Sequence, residues 1–82
     1  MSDARPMKEL LEPIVRALVD HPDRVRISMV DGEKTCVLEL RCHPDDVGKV
    51  IGKGGKTIGA IRALLSAIAH RSGRRALIEV VQ

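Results

Sequence analysis

The stretch Val50-Ile51-Gly52-Lys53-Gly54-Gly55-Lys56-Thr57-Ile58 decides how this chain folds, because three glycines and two lysines interrupt a region that otherwise favours helix. A P-loop would need its first glycine at position 50, where the chain has Val50. A dinucleotide-binding fingerprint would need its third glycine at Thr57. Both nucleotide motifs fail on spacing, and the pattern that remains is GxxG over 52–55, at a turn between two helices.

The residues on either side of this loop favour helices. Before the loop, a proline and two acids within 43–46 suit the start of a short helix that Gly52 ends. After the loop, apolar residues recur at helical spacing from Lys56 to about His70. The apolar stripe of this second helix consists of Ile58, Ile61, Leu65 and Ile68.

Hydrophobic periodicity predicts one further helix and three strands in the rest of the chain. The helix starts at Arg5-Pro6, ends near Asp20 and is expected to kink at Pro13. Its predicted apolar stripe is Met7, Leu10, Leu11, Ile14 and Leu18. The predicted strands span 25–30, 35–42 and 75–81, and an Asp-Gly turn joins the first two.

The predicted element order is therefore α-β-β-α-α-β. A tight turn forces the first two strands to pair antiparallel, whereas the helical crossover before the last strand permits parallel pairing. We predict an α+β fold with a three-stranded mixed sheet covered on one face by three helices. The other face is expected to be more polar and to carry Arg26, Glu39, Arg41 and Glu79.

The composition limits the class of protein and the class of ligand site. A chain of 82 residues makes one domain, and 44% hydrophobic with 30% charged residues is typical of a folded one. Phe, Trp and Tyr are all absent. We therefore expect an aliphatic core and no aromatic base-stacking platform, which disfavours RRM-like and OB-fold modes of nucleic-acid binding.

Charge is distributed unevenly along the chain. Residues 1–42 hold seven Lys and Arg against eight Asp and Glu, whereas residues 43–82 hold seven against three. Residues 47–78 contain seven cations and no acid, which predicts an anionic partner. These cations are Lys49, Lys53, Lys56, Arg62, Arg71, Arg74 and Arg75. For the four arginines, contact with that partner and plain solubility remain equal alternatives.

The two cysteines, Cys36 and Cys42, lie six positions apart in one predicted strand, too far apart to pair with each other. Cys42-His43 has no further ligand at metal spacing, so free thiols and no metal or cofactor are expected. The three histidines are interpreted as capping or exposed residues. No signal peptide or membrane span is recognisable, and a cytoplasmic location is expected.

The loop has the properties of a phosphate-binding turn. The first amides of the second helix, around Gly55, Lys56 and Thr57, lack intrahelical partners and lie at the positive end of the helix dipole. Glycines let a ligand approach the backbone closely, and Lys53 adds charge at the tip. Thr57 contacts phosphate or caps the helix; the sequence leaves both alternatives open.

The segment Val50–Ile58 resembles the V-I-G-x-x-G-x-x-I signature of the KH domain family, with Gly52 and Gly55 at its two invariant positions. The α-β-β order ahead of the helix pair is similar to the type II arrangement of that family, and the likeness extends from Leu10 to Val81. His21-Pro22-Asp23 and Val47–Gly52 are similar to the small stand-alone bacterial members. The resemblance implies a single type II KH domain over 1–82, with 1–6 as a flexible tail.

The resemblance also implies a site. In KH domains the GxxG loop clamps the backbone of about four nucleotides of a single strand, and the bases turn into an aliphatic groove. Candidate groove residues are Val47, Val50, Ile51 and Ile58, and at least half of these amphipathic-helix positions are expected to belong to the core. The complete set of candidate RNA-binding residues is Gly52, Lys53, Gly54, Gly55, Lys56, Thr57, Lys49, Val47, Val50, Ile51, Ile58 and Arg62.

Partners and role are likewise implied by the resemblance. Single-stranded RNA is the expected ligand, and self-association or pairing with a larger KH-containing RNA-binding protein is expected to raise the affinity. The implied role is a post-transcriptional regulator or RNA chaperone that affects cell growth and shape. The alternative is a dimerisation module in which RNA binding is secondary. No constellation of acids, nucleophile and base, or metal ligands supports an enzyme, and no small-molecule substrate or membrane partner is expected.

Overall fold

The computed structural model describes residues 4–81. The α-helices are α1 (Ala4–Leu18), α2 (Val47–Ile51) and α3 (Lys56–His70), and the strands are β1 (Arg26–Asp31), β2 (Thr35–Arg41) and β3 (Arg75–Val81). Short 3-10 turns cover Pro22–Arg24, Pro44–Asp46 and Lys53–Gly55. This arrangement confirms the predicted α+β class and the α-β-β-α-α-β order of a type II KH domain.

The sheet has the order β1-β2-β3, with β2 in the centre. β1 and β2 are antiparallel around the Asp-Gly turn, where the Gly32 amide donates to the Thr35 carbonyl at 2.9 Å. β2 and β3 are parallel, as the helical crossover through α2 and α3 permits. The parallel pairing leaves β3 at an edge of the sheet.

Helix α1 is continuous through Pro13, whose side chain is exposed. Its buried row is Met7, Leu11 and Val15, at intervals of four residues, and Val19, just beyond the end of the helix, continues the row. The prediction was wrong for Leu10 and Leu18, which are 41% and 37% exposed, because the core-facing row turns toward Val15 instead. Arg5 and Pro6 lie within α1, and residues 1–3 of the predicted tail lie outside the described residues.

The core lies between the three helices and one face of the sheet. It contains aliphatic side chains, one methionine and one cysteine, as an aromatic-free composition requires. On the uncovered face, Arg26, Arg41 and Glu79 are exposed and Glu39 is half-buried. The same face also exposes Val30 (60%) and Leu77 (42%), which lie on either side of Val37 in the sheet register.

Asp46 joins the end of α1 to the start of α2. The sequence placed it as an acid favoured by the helix dipole, but its side chain is fully buried. Its two carboxylate oxygens accept from the backbone amides of Asp20 (3.2 Å) and His21 (3.0 Å), and from Nδ1 of His21 (3.0 Å). Burial alone would raise the pKa of Asp46, but these hydrogen bonds and the nearby imidazole hold that pKa below its usual value.

Neither Cys36 nor Cys42 forms a disulfide, in line with the sequence prediction that the two do not pair with each other. Cys36 is buried in β2, and Cys42 is half-buried just beyond that strand. Burial, together with the negative charge of Asp46, raises the pKa of the Cys42 thiol. The thiol of Cys42 is therefore protonated at neutral pH and is a poor nucleophile.

Candidate nucleic-acid interface

The glycine-rich loop turns the chain sharply from α2 into α3. Gly52, Gly54 and Gly55 all have positive φ, at 79°, 64° and 77°. Such values strain residues with a Cβ, so the glycines permit the turn. The 3-10 turn is closed by the Gly55 amide, which donates to the Gly52 carbonyl at 3.1 Å. The GxxG segment is thus a compact, hydrogen-bonded element between the two helices.

Gly52 has a second constraint besides its φ. A Cβ on Gly52 would lie 2.3 Å from Oγ1 and 2.8 Å from the backbone N of Thr57. Thr57 is half-buried and packs behind the loop at this point. Its position favours a packing contribution for Thr57 and shows why the first glycine of the motif admits no side chain.

The outer surface of the loop is accessible. Lys53, Gly54 and Lys56 are exposed, and a Cβ at Gly54 or Gly55 would meet nothing within 4 Å. Gly55 occupies the N-cap position of the 15-residue helix α3 and has no capping side chain. The prediction that the amides of Gly55 and Lys56 lack partners was wrong, because in the 3-10 turn they donate to the Gly52 and Lys53 carbonyls. The loop therefore combines two cationic side chains, bare backbone and the positive end of a helix dipole on one surface.

The candidate groove residues divide into two groups. Val47 and Ile51 are half-buried and retain accessible surface beside the loop. Val50 is fully buried and Ile58 is only 8% exposed, because both side chains pack into the core. Half of the candidate groove positions are therefore core, as expected, and the apolar surface that the structure offers to a base beside α2 is formed by Val47 and Ile51.

Lys49 lies on α2 but points toward acids at the far end of α1. Its Nζ is 3.3 Å from Oδ2 of Asp20 and 3.8 Å from Oδ1 of Asp46. The side chain of Lys49 is 45% exposed. These carboxylates partly neutralise the charge of Lys49. Within residues 4–81, by contrast, Lys53 and Lys56 form no ion pair with an acidic side chain.

A second surface lies between α3 and the edge strand β3. Arg62, Ser66 and His70 follow one another at four-residue intervals along α3, starting one turn after Ile58. Together with the first residues of β3 they line a groove of about 350 Å³. The complete lining is Arg62, Ser66, His70, Arg74, Arg75, Ala76 and Leu77. Of these, Arg62 was in the candidate RNA-binding set, and Arg74 and Arg75 were left undecided. Ser66 and His70 were missed, although the i, i+4 row on α3 was a usable signal for them.

The four arginines that the sequence left undecided differ in their surroundings. Arg62 and Arg75 are exposed along the groove. Arg74 pairs with Asp31, and its Nη2 donates to the Gly32 carbonyl at 2.6 Å, so it ties the hairpin turn to the start of β3. Arg71 is exposed at the C-terminal end of α3, beside Pro6 and Ile68.

Sequence reasoning missed an aromatic contact. The rings of His21 and His43 stack with their centroids 4.0 Å apart and their planes 12° from parallel. His43 also accepts the Asp45 amide at Nδ1 (3.0 Å), which confirms a capping role. His21 instead holds Asp46, while His70 is exposed in the groove. The stack arises from residues 22 positions apart, for which the sequence carries no local signal.

Across residues 4–81, no helix has the length and apolar character to cross a membrane. In the same range, no three His, Cys, Asp or Glu side chains are grouped so that they could hold a metal ion.

Comparison with known proteins places this chain in a family. A family model described as KhpA/KhpB, KH domain, matches residues 8–80. The chain is 47% identical over 75 residues to the RNA-binding protein KhpA of Clostridium acetobutylicum, covering 92% of this chain and 100% of that protein. It is 42% identical over 76 residues to the RNA-binding protein KhpA of Aquifex aeolicus, covering 93% and 96%. KH domains are a non-catalytic family, in agreement with the expectation that the chain is not an enzyme. The chain belongs to the KhpA/KhpB family of KH-domain proteins.

Proposed function

We propose that this chain binds single-stranded RNA through its GxxG loop. The observation that carries the proposal is the loop conformation. Positive φ at Gly52, Gly54 and Gly55 presents bare backbone at the start of α3, between exposed Lys53 and Lys56. The names of the KhpA relatives, which are RNA-binding proteins, support the same ligand.

In this proposal the sugar-phosphate backbone lies on the loop. Phosphate oxygens lie against the glycine backbone at the positive end of the α3 dipole, and Lys53 and Lys56 add mobile positive charge. The amides of Gly55 and Lys56 keep their bonds to the Gly52 and Lys53 carbonyls. The residues are accessible without rearrangement, because Lys53, Gly54 and Lys56 are already exposed. Ordering of RNA therefore costs the protein little conformational entropy in this region.

The bases then enter the groove between α3 and β3. Its walls carry Arg62 and Arg75, which can follow the phosphates, and Ser66, which can hydrogen-bond a base edge. β3 is an edge strand, so its outward backbone N–H and C=O groups can pair with base edges in the way that they would pair with another strand. Val47 and Ile51 supply apolar contact near the loop.

The proposal predicts a strong dependence on salt. Contacts from three or four of Lys53, Lys56, Arg62 and Arg75 should give a slope of log K against log salt of about −2 to −3, from about −0.7 per phosphate on a single strand. We expect this slope from fluorescence anisotropy with a labelled single-stranded RNA octamer between about 50 and about 200 mM salt. A slope near zero, or equal binding of a duplex of the same sequence, would contradict the proposal.

We also propose that the chain pairs with a second KH domain, its own copy or that of a larger RNA-binding protein. The outward face of α3 supports this: Leu64 is 53% exposed and lies among exposed alanines. The alanines are Ala60, Ala63 and Ala67, which form a stripe with Leu64 at i, i+3, i+4 and i+7 spacing. Small side chains let two helices approach closely. If pairing is the main activity, this face makes the chain a dimerisation module in which RNA binding is secondary.

Leu64→Glu tests this interface. A carboxylate in the centre of the apolar stripe should raise the dimer dissociation constant at least about tenfold, since its charge would be buried unpaired. Sedimentation equilibrium measures the effect, and Leu10→Glu on α1, where leucine is 41% exposed, is the matched control. The proposed interface is wrong if Leu64→Glu pairs as the unmodified chain does, or if Val30→Glu on the uncovered sheet face dissociates the pair instead.

The cellular role follows from the two proposed activities. A weak single-stranded RNA site that gains affinity through pairing suits a cytoplasmic post-transcriptional regulator or RNA chaperone. An effect on cell growth and shape would follow from the transcripts bound.

A further inference from the structure

The stacked pair of His21 and His43 is an aromatic surface in a chain without Phe, Trp or Tyr. The rings lie 4.0 Å apart and 12° from parallel, which is the arrangement of stacked bases or of a base on an aromatic side chain. The composition gave no reason to expect an aromatic surface on which a base could stack, and the two histidine rings provide one.

Both rings are held in place by hydrogen bonds before any ligand arrives. Nδ1 of His21 donates to Oδ2 of Asp46 at 3.0 Å, and Asp46 is itself fully buried and fixed by two backbone amides. Nδ1 of His43 accepts the amide of Asp45, so its ring proton lies on Nε2. A preorganised platform loses little entropy when a ligand stacks on it.

The pair is also accessible, and two short helical elements connect it to the loop. The side chain of His21 is 41% exposed and that of His43 is 24% exposed. His43 precedes the 3-10 turn Pro44–Asp46, which leads into α2. At about 2.0 Å per residue in the turn and about 1.5 Å in α2, these two elements span roughly 13 Å before the GxxG loop begins. A GxxG clamp engages about four nucleotides, so a strand held at the loop is long enough to extend past α2 and the 3-10 turn to His43.

We propose that the His21–His43 stack is a platform for one nucleobase of the bound single strand. This inference rests on the proposed RNA binding and adds a second contact point to it. The charges nearby favour a base over a phosphate, because Asp45 lies 3.7 Å from the His43 ring and the Asp20 carboxylate is 71% exposed beside Lys49. Carboxylates repel the backbone but accept hydrogen bonds from exocyclic amino groups of bases.

Two substitutions at His43 separate the aromatic ring from the capping hydrogen bond. His43→Asn keeps an oxygen that can accept the Asp45 amide, since asparagine is a good capping residue, but it removes the ring. His43→Phe keeps the ring and removes the acceptor. With an oligoadenylate octamer, we expect the Asn variant to bind about five- to tenfold more weakly and the Phe variant to bind within about twofold of the unmodified protein. Thermal stability should change in the opposite order, with the Phe variant the less stable.

Octamers with one abasic site locate the base. In the unmodified protein, one abasic position should cost about fivefold in affinity through lost stacking, and the same position should cost nothing in the His43→Asn variant. Identical abasic penalties in the two proteins, or an unchanged affinity of His43→Asn, would overturn the platform while leaving the loop proposal intact. Failure of the unmodified protein to bind any octamer would overturn the proposed RNA binding itself, and the platform with it.

Discussion

Asp46→Asn is expected to lower the midpoint of thermal unfolding by roughly 10 °C at neutral pH. The two oxygens of Asp46 accept three donors, from Asp20, His21 and the His21 ring, in a fully buried position. An amide offers one oxygen and one NH₂ group, so a donor would face a donor at a site without solvent. Differential scanning calorimetry measures the shift, and Asp45→Asn, at a 78% exposed carboxylate one residue away, is the control that should change little.

The same substitution has a distinct pH dependence. Because the folded protein holds the pKa of Asp46 below its usual value, this carboxylate stabilises the fold above the unfolded pKa of about 3.9. Its contribution is lost as the pH falls through the lower, folded pKa. The difference in unfolding free energy between the unmodified protein and Asp46→Asn should therefore be constant near pH 5 and shrink below about pH 4. A difference that stays constant or grows in acid would show that the ionised carboxylate is not the stabilising form.

The loop and its flanking elements were predictable because their signals are local. Glycine positions and helical periodicity place α3 from Lys56 to His70 and β3 from Arg75 to Val81, and the structure has these bounds. The sharp turn between α2 and α3 needs residues with positive φ, and few residues other than glycine adopt such values without strain. The element order then follows from turn lengths and the crossover rule.

The contacts of Asp46, His21 and His43 were not predictable from the sequence. They form only when the end of α1 packs against the start of α2 in the folded chain. Asp46 accepts from residues 25 and 26 positions earlier, and no spacing rule connects such partners. The helix dipole already accounts for an acid such as Asp46 that follows a proline at the start of a helix. Nothing in the sequence therefore indicated that its side chain is buried. The stack of the two rings follows from the same approach of α1 to α2.

The apolar face of α1 shows a second limit of periodicity. Steps of three and four residues both lie on one side of a helix, so Leu10 and Leu18 fitted the pattern as well as Val15 did. Only the packing against β1 and the other helices selects the row through Met7, Leu11 and Val15. The same applies to Val50, whose spacing fitted a groove and whose side chain is in the core.

Lys53→Asp with Gly54→Asp is expected to weaken RNA binding about 30-fold or more, equivalent to about 2 kcal/mol. The change removes one cation and places two anions where phosphate is proposed to lie. Gly54 has φ 64° and ψ 18°, a conformation that aspartate tolerates better than most residues, and a Cβ there meets nothing within 4 Å. The variant should therefore fold, so a loss of binding would report on the loop and not on stability.

A matched control changes the net charge equally at a distant site. Arg5→Asp with Lys8→Gln lies in the first half of α1, and an acid there suits the helix dipole. Pro6, beside these residues, packs near Ile68 and Arg71 at the C-terminal end of α3, roughly 20 Å along that helix from the loop. Because both variants change the net charge by the same amount, a difference in RNA affinity between them reports on where the charge lies.

The most direct test of the central claim is the affinity of these three proteins for one single-stranded RNA octamer, measured by fluorescence anisotropy at low salt, with thermal unfolding of each as a check on folding. If the GxxG loop is the phosphate site, the Lys53→Asp/Gly54→Asp protein loses about 30-fold or more while the control stays within about threefold of the unmodified protein. If the folded loop variant binds the octamer as tightly as the control does, the RNA lies elsewhere and the account is contradicted.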